Sequence, residues 1–184
     1  MRIISGTARG RRLKSPRDRR IRPTEDRIKE NVFNLLQGPF QGAVVLDLFS
    51  GTGGMALEFA SRGAELVWMV DQHPASIRLM TENVELTGLT AQCHIEKGDY
   101  RKVLEKARDQ KMSFDYIYVD PPYEDQGAYA TVLEAIHQWD LMAPGGRIVL
   151  EAPRDYDFSK SAPFPVLRQK NYGTKGIWIF EGSA

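Results

Sequence analysis

The sequence predicts an α/β fold: a mostly parallel sheet of seven strands, closed at one edge by an antiparallel C-terminal hairpin and preceded by a small basic N-terminal β-hairpin. Two observations carry this expectation. From Ala43 onward, short apolar runs alternate with longer amphipathic ones, the pattern of βαβ units whose helices cover a parallel sheet. After Pro153 the alternation stops, and two strand-like stretches flank Tyr172-Gly173-Thr174-Lys175, which predicts a turn.

With 184 residues, 42% of them hydrophobic and 27% charged, the chain is long enough for one domain with its own core. Cys93 is the single cysteine, which excludes an intramolecular disulfide framework and a cysteine-rich zinc site and suits a reducing compartment. No stretch has the length or apolar character of a membrane span or a secretory leader, so a cytoplasmic protein is expected.

The N-terminal hairpin is expected from strands at residues 2–5 and 11–15, linked through residues 6–10. Residues 1–22 hold nine basic side chains (Arg2, Arg9, Arg11, Arg12, Lys14, Arg17, Arg19, Arg20 and Arg22) against one acid, Asp18. Everything after them holds 16 basic and 23 acidic residues, so the near-zero net charge of +1 hides a strong polarity. A polyanion is the partner this layout suits, with Arg9, Arg11, Arg12, Lys14, Arg17, Arg19 and Arg20 as candidate phosphate contacts. We divide the chain accordingly into a basic extension, 1–22, and a main domain, 23–184.

A helix follows, with Thr24 as its expected N-cap, Glu25 and Asp26 in the first turn where the helix dipole favours acids, and an apolar face of Ile28, Val32, Leu35 and Leu36. The sheet strands are expected at residues 43–49, 66–71, 92–96, 114–120 and 147–151, and the helices between them at 54–61, 74–86, 100–110 and 126–139. Pro144-Gly145-Gly146 predicts a turn before the fifth of these strands. The closing hairpin strands are expected at 166–170 and 176–181. Trp68, Trp139 and Trp178 fall within these elements and are expected in the core. His73, His94 and His137 occur in separate contexts without metal-ligand spacing, and no metal site is expected.

Three stretches carry chemistry. The first strand runs through Asp47 into Ser50-Gly51-Thr52-Gly53-Gly54 and then a helix, a layout in which glycines let a ligand approach backbone amides at a helix start. A dinucleotide fold would share it. Ala56 stands where the dinucleotide fingerprint has its third glycine, however, and Asp47 is an acid inside the strand, suited to an amine that a dinucleotide lacks. Asp71, with Gln72 beside it, ends the second strand where a carboxylate can accept ribose hydroxyls. Asp99-Tyr100 follows the third strand where a side chain can meet an adenine amine, although Asp99 also suits a helix N-cap.

Asp120-Pro121-Pro122-Tyr123 closes the fourth strand, at the edge where open α/β sheets place ligands. Two prolines remove two backbone donors and leave carbonyl acceptors. An aromatic amine is a poor nucleophile because its lone pair is delocalised into the ring. Accepting its two N–H groups on the Asp120 carboxylate and the Pro121 carbonyl would aim the nitrogen and stabilise the charge that grows on it, while Tyr123 offers a stacking face. These residues point to methyl transfer onto an exocyclic amine of a nucleic-acid base, with S-adenosylmethionine as donor.

In this order, Gly51-Thr52-Gly53, Asp71 and Asp120 to Tyr123 make the chain resemble the RsmD family, the bacterial 16S rRNA (guanine-N2)-methyltransferases. The opening Arg2-Ile3-Ile4-Ser5-Gly6 with Arg11-Arg12-Leu13, the stretch from Ile21 to Asn34, and Tyr172-Gly173-Thr174 sharpen the resemblance over essentially the whole length. It implies a Rossmann-like class I methyltransferase fold, a guanine N2 in small-subunit rRNA as target, and Arg22-Pro23-Thr24 as part of a lid over the cofactor. A monomer acting on 16S rRNA, within a small subunit or an assembly intermediate, is the expectation that follows. Gly54-Met55 and Gln72-His73-Pro74 depart from the family's usual residues at those places. An adenine-N6 methyltransferase on DNA or RNA is the nearest alternative, a protein-glutamine enzyme a more distant one, and a non-catalytic RNA-binding module on the same fold a third.

Overall fold

A computed structural model describes residues 1–15, 26–122, 125, 127–160 and 162–182. Its elements in chain order are α1 (Asp26–Leu36), β1 (Val44–Asp47), α2 (Gly54–Ser61), β2 (Leu66–Asp71), α3 (Pro74–Thr87), β3 (Cys93–Lys97), α4 (Tyr100–Asp109), β4 (Phe114–Val119), α5 (Gly127–Gln138), β5 (Met142–Pro153), a 3-10 turn (Phe158–Lys160), β6 (Val166–Tyr172) and β7 (Lys175–Glu181). The strands form one sheet of seven in the order β3-β2-β1-β4-β5-β7-β6. The first five run parallel, and β7 lies antiparallel between β5 and β6. This is the mostly parallel sheet with a C-terminal antiparallel hairpin that the alternating pattern predicts, in the layout that the resemblance implies.

Because the central strands are buried on both faces, alternate residues serve two cores. Leu46, Leu48, Trp68, Val70 and Ile117 pack with α4, α5, Phe158 and Trp178 on one face. Val45, Val67, Met69, Tyr116 and Tyr118 pack with α1, α2 and α3 on the other. Trp68 and Trp178 are buried in the first core and Trp139 lies against it.

Helix α2 is buried at every one of its eight positions, so its two polar residues, Glu58 and Ser61, need internal partners. The N-terminal segment supplies them. Ile4 and Ser5 donate their amides to the Glu58 carboxylate at 2.8 and 2.9 Å, and Ala8 donates to Ser61 Oγ at 2.9 Å. Gly6 approaches so closely that a Cβ there would sit 1.7 Å from the Ser61 carbonyl oxygen, at a φ of +84°. Lys29 of α1 reaches the same carboxylate at 3.6 Å with both side chains fully buried, and also donates to the Arg2 carbonyl. The expected N-terminal hairpin is present but short: Arg2 bridges Arg12 antiparallel, Ile3 donates to the Arg11 carbonyl at 2.9 Å, Gly10 to the Ile3 carbonyl at 2.9 Å and Leu13 to the Met1 carbonyl at 3.2 Å, while the Ile4 and Ser5 amides turn to α2. Ile3, Ala8 and Leu13 are buried in the second core, so this basic segment packs against the main sheet domain.

One other expectation changes and one is left untested. The predicted turn at Pro144-Gly145-Gly146 is a bulge inside β5, with Met142 already paired to Phe114 and the register shifting before Arg147 meets Tyr116. A Cβ at Gly146 would lie 2.9 Å from the Phe114 carbonyl oxygen, so glycine permits the continued pairing. The predicted α1 cap, Thr24 with Glu25, lies outside the described residues, and α1 starts at Asp26 with Phe33 and Lys29 joining Val32 and Leu36 on its buried side.

Candidate active site

In parallel strands, the residues at the carboxyl ends share one edge of the sheet, where open α/β folds place ligands. Here that edge collects Asp47 from β1, Asp71 from β2, Asp120 just beyond β4 and Glu151 near the end of β5. Strand β7 runs the other way, so its first residue, Lys175, arrives at the same edge, paired with Pro153.

The loop after β1 is held in a fixed shape. Ser50 donates its amide to the Val70 carbonyl and its hydroxyl to the Asp47 carbonyl, both at 2.9 Å, and Gly53 donates to the Ser50 carbonyl at 2.7 Å. Gly51 and Gly53 have φ of 54° and 80°, a region that favours glycine. A Cβ at Gly53 would come within 2.5 Å of Met69 Cε. Thr52 is buried, and its carbonyl accepts from Asn83 of α3 at 2.9 Å. Asp71 ties this loop to β2: its Oδ2 accepts from the Gly51 amide at 3.0 Å, and its Oδ1 from the His73 amide at 2.8 Å. Each oxygen keeps a further lone pair for a hydroxyl donor. Gln72 is exposed next to it.

Asp47 is the outstanding polar group of this half of the site. It is 1% exposed, and neither carboxylate oxygen has a hydrogen-bond partner among the described residues. Desolvation pushes its carboxyl up to about 7, against a lowering pull from the adjacent Ser50 hydroxyl and Phe49 amide, with the Asp120 and Asp71 charges adding to the rise. A buried acid left in this state suits a cationic amine, as the amino-acid end of S-adenosylmethionine provides, and the residues present fit that group. Asp99 instead acts as the N-cap of α4, accepting from Arg101 N at 2.9 Å, and Tyr100 turns its ring into the core 5.0 Å from Phe49. Arg22, Pro23 and Thr24 lie outside the described residues.

Around Asp120 the structure gathers groups that the sequence left apart. Lys175 Nζ lies 3.2 and 3.5 Å from the two Asp120 carboxylate oxygens and 3.1 Å from Glu151 Oε2. Glu151 is 1% exposed, and its other oxygen accepts from the Tyr118 hydroxyl. Tyr129 of α5 donates to the Glu151 carbonyl at 2.8 Å. Burial and the Glu151 charge push the Asp120 carboxyl up to about 7, against a lowering pull from Lys175. Partial burial alone would lower the Lys175 ammonium's pKa, but the two carboxylates raise it on balance. Burial and the neighbouring carboxylate hold the Tyr118 hydroxyl protonated, well above the ordinary tyrosine range.

Of the two proline carbonyls expected to face outward, that of Pro122 accepts from the Asp125 amide at 2.9 Å and is thereby engaged. Pro121 is buried next to Asp120, and Tyr123 lies outside the described residues. Sequence reasoning missed Glu151, Lys175 and Tyr118. A usable signal existed for the first, since an acid at the carboxyl end of a parallel strand was the argument for Asp71. Lys175 immediately follows the Tyr172-Gly173-Thr174 signature.

The expected phosphate contacts separate into three groups. Arg9 and Arg12 are exposed. Arg11 donates to the Leu86 carbonyl at 2.7 Å and Lys14 pairs with Glu82 at 3.0 Å, so both are partly used within the fold. Arg17, Arg19 and Arg20 lie outside the described residues. No helix among the described residues is long and apolar enough to cross a membrane.

Comparisons with known proteins agree with this architecture. A family profile described as conserved hypothetical protein 95 matches residues 1–181. The chain is 34% identical to YlbH of Bacillus subtilis over 182 residues, covering 98% of each chain. It is 28% identical to the ribosomal RNA small subunit methyltransferase D of Haemophilus influenzae, covering 98% of this chain and 93% of that one. Among solved structures, yhhF of Escherichia coli superposes with a TM-score of 0.84 at 26% identity, over 100% of this chain and 98% of that one.

Proposed function

The chain belongs to the RsmD family of methyltransferases, the family of conserved hypothetical protein 95, and from that premise we propose that it methylates the exocyclic N2 of a guanine in small-subunit ribosomal RNA. S-adenosylmethionine is the proposed donor, and it supplies an electrophilic methyl group on a sulfonium. The observation that carries the reading is the Asp120 carboxylate, set at the carboxyl end of β4 beside the glycine loop and the unpartnered Asp47.

In this reading Asp47 neutralises the donor's ammonium, Asp71 accepts its ribose hydroxyls, and the Gly51-Thr52-Gly53 backbone lets it lie against the start of α2. Asp120 and the Pro121 carbonyl accept the two N–H groups of the target amine, which turns the nitrogen lone pair toward the methyl group. As positive charge grows on that nitrogen, the fixed Asp120 carboxylate stabilises it without reorganisation. A carboxyl titrating at about 7 is also suited to receive the proton the amine then sheds. Tyr123 is the proposed stacking face for the extruded base, a contact worth ~1–3 kcal/mol. Arg9 and Arg12 meet RNA phosphate.

The test supplies purified protein and labelled S-adenosylmethionine to unmodified small subunits, free rRNA and DNA, and maps the labelled atom. Label on guanine N2 of the small-subunit rRNA is expected. Label on an adenine, on DNA or on protein overturns the proposal.

A further inference from the structure

We propose that Lys175 is a positioning residue of the methyl-transfer site, holding the Asp120 carboxylate ionised and oriented toward the amine, while Glu151 and Tyr118 hold Lys175 in place. This rests on the function proposed above. The Lys175–Asp120 pair would ordinarily be dismissed as a surface ion pair, since the two side chains are 46% and 27% exposed. Its inner anchor removes that objection. Glu151 is 1% exposed and has both oxygens engaged, one by the Tyr118 hydroxyl from the middle of the sheet and one by Lys175. The ammonium is thus held from beneath before it reaches Asp120.

The charge arithmetic gives this contact a function. Asp120, Glu151 and the buried Asp47 gather acidic groups at one edge, where burial and the Glu151 charge favour a neutral Asp120. A protonated Asp120 carries an O–H donor and offers fewer acceptor positions to an amine that presents two N–H groups. Lys175 is the cation that opposes this neutralisation. The groups facing Asp120 among the described residues are Tyr118 from β4, Asp47 from β1, Glu151 from β5, Tyr129 from α5 and Lys175 from β7, and of these Lys175 alone is positive. Its delivery depends on the reversed direction of β7, which brings a residue just after the hairpin turn to the edge where the parallel strands end.

The closing experiment reads Asp120 directly. Protein labelled with carbon-13 at aspartate side-chain carboxyls is titrated by NMR, with the Asp120 signal assigned through Asp120→Asn. Lys175→Met is expected to move the Asp120 midpoint up by about one pH unit or more, Glu151→Gln to move it down, and Lys175→Arg to keep it near the parent value. Lys175→Gln gives a second neutral variant if the methionine form unfolds. In parallel, the acid limb of kcat against pH follows the same shift in Lys175→Met, while KM for S-adenosylmethionine stays within about two-fold. An unmoved midpoint in folded neutral variants overturns the role of Lys175. Failure of the unsubstituted protein to methylate rRNA would sink the function instead, and the NMR midpoint still decides Lys175.

Discussion

The Gly51 amide donates to Asp71 Oδ2 across 3.0 Å, so one carboxylate both shapes the glycine loop and faces the site. Removing it costs the loop its anchor and the proposed ribose its acceptor. Asp71→Ala is expected to weaken S-adenosylmethionine binding by roughly ten-fold or more, since hydrogen bonds to charged groups are worth about 1.5–3 kcal/mol. Calorimetric titration checks this, and affinity kept within two-fold contradicts it.

Asp120→Ala removes the proposed acceptor of the target amine but touches none of the loop residues. Methyl transfer should fall by roughly a hundred-fold or more, as when a preorganised charge-stabilising group is lost, with cofactor affinity within a few-fold. Single-turnover assays with bound cofactor separate the two effects, and near-normal turnover is the adverse result.

Asp47 sets a pH dependence for the ligand-free fold. Its carboxyl is raised from 3.8 to about 7, so the folded state holds the proton more tightly than the unfolded state. The resulting stabilisation is complete below about pH 4 and is lost as pH rises through 7, amounting to a few kcal/mol at most. Asp120 adds a contribution of the same sign. Asp47→Asn should flatten the decline by the share due to Asp47, measured as urea unfolding across that range. An equally steep decline in the variant would remove Asp47 as its source.

All four arginines of the described basic segment are exposed, but Arg2 pairs with Asp26 and Arg11 is tied to the Leu86 carbonyl, which leaves Arg9 and Arg12 as the pair to test. Replacing both with alanine should weaken RNA binding and reduce the slope of log affinity against log salt by about 1–2. Filter binding over a salt series gives that slope. No change would place the RNA elsewhere.

Glu58 receives two backbone amides of the N-terminal segment as well as Arg62 and the buried Lys29. Glu58→Ala leaves an ammonium buried without its carboxylate, and a loss of about 3–5 kcal/mol is expected. Cleavage within residues 1–15 by limited proteolysis should appear alongside the lower unfolding midpoint. Unchanged stability would mean that Lys29 finds another partner.

How much could be read in advance follows the range of the interactions. Residues 66–71 and 54–61 were bounded correctly because apolar runs and glycines are local signals. Asp47, Asp71 and Asp120 were singled out from local signals: an acid inside the first strand before the glycine loop, an acid ending the second, and the Asp-Pro-Pro-Tyr run closing the fourth. The N-terminal hairpin was legible but its shortness was not: the Ile4, Ser5 and Ala8 amides are claimed by Glu58 and Ser61, more than 50 positions away. Lys175 and Glu151 were hidden for a related reason, since Lys175 lies 55 positions from Asp120 and meets it only because β7 inserts beside β5. At Gly145 and Gly146 the local signal pointed the wrong way, because glycines that suit a turn equally suit a bulge.

Strand β6 precedes β7 in the chain yet pairs in the sheet only with β7. During synthesis, β6 therefore leaves the ribosome with no strand to bind, and its place is settled only when β7 emerges and docks on β5. Until that moment Asp120 and Glu151 face each other without the Lys175 ammonium. The same docking event that completes the sheet also brings in the cation, so a nascent chain halted before β7 would carry the glycine loop but a sheet edge of unbalanced negative charge.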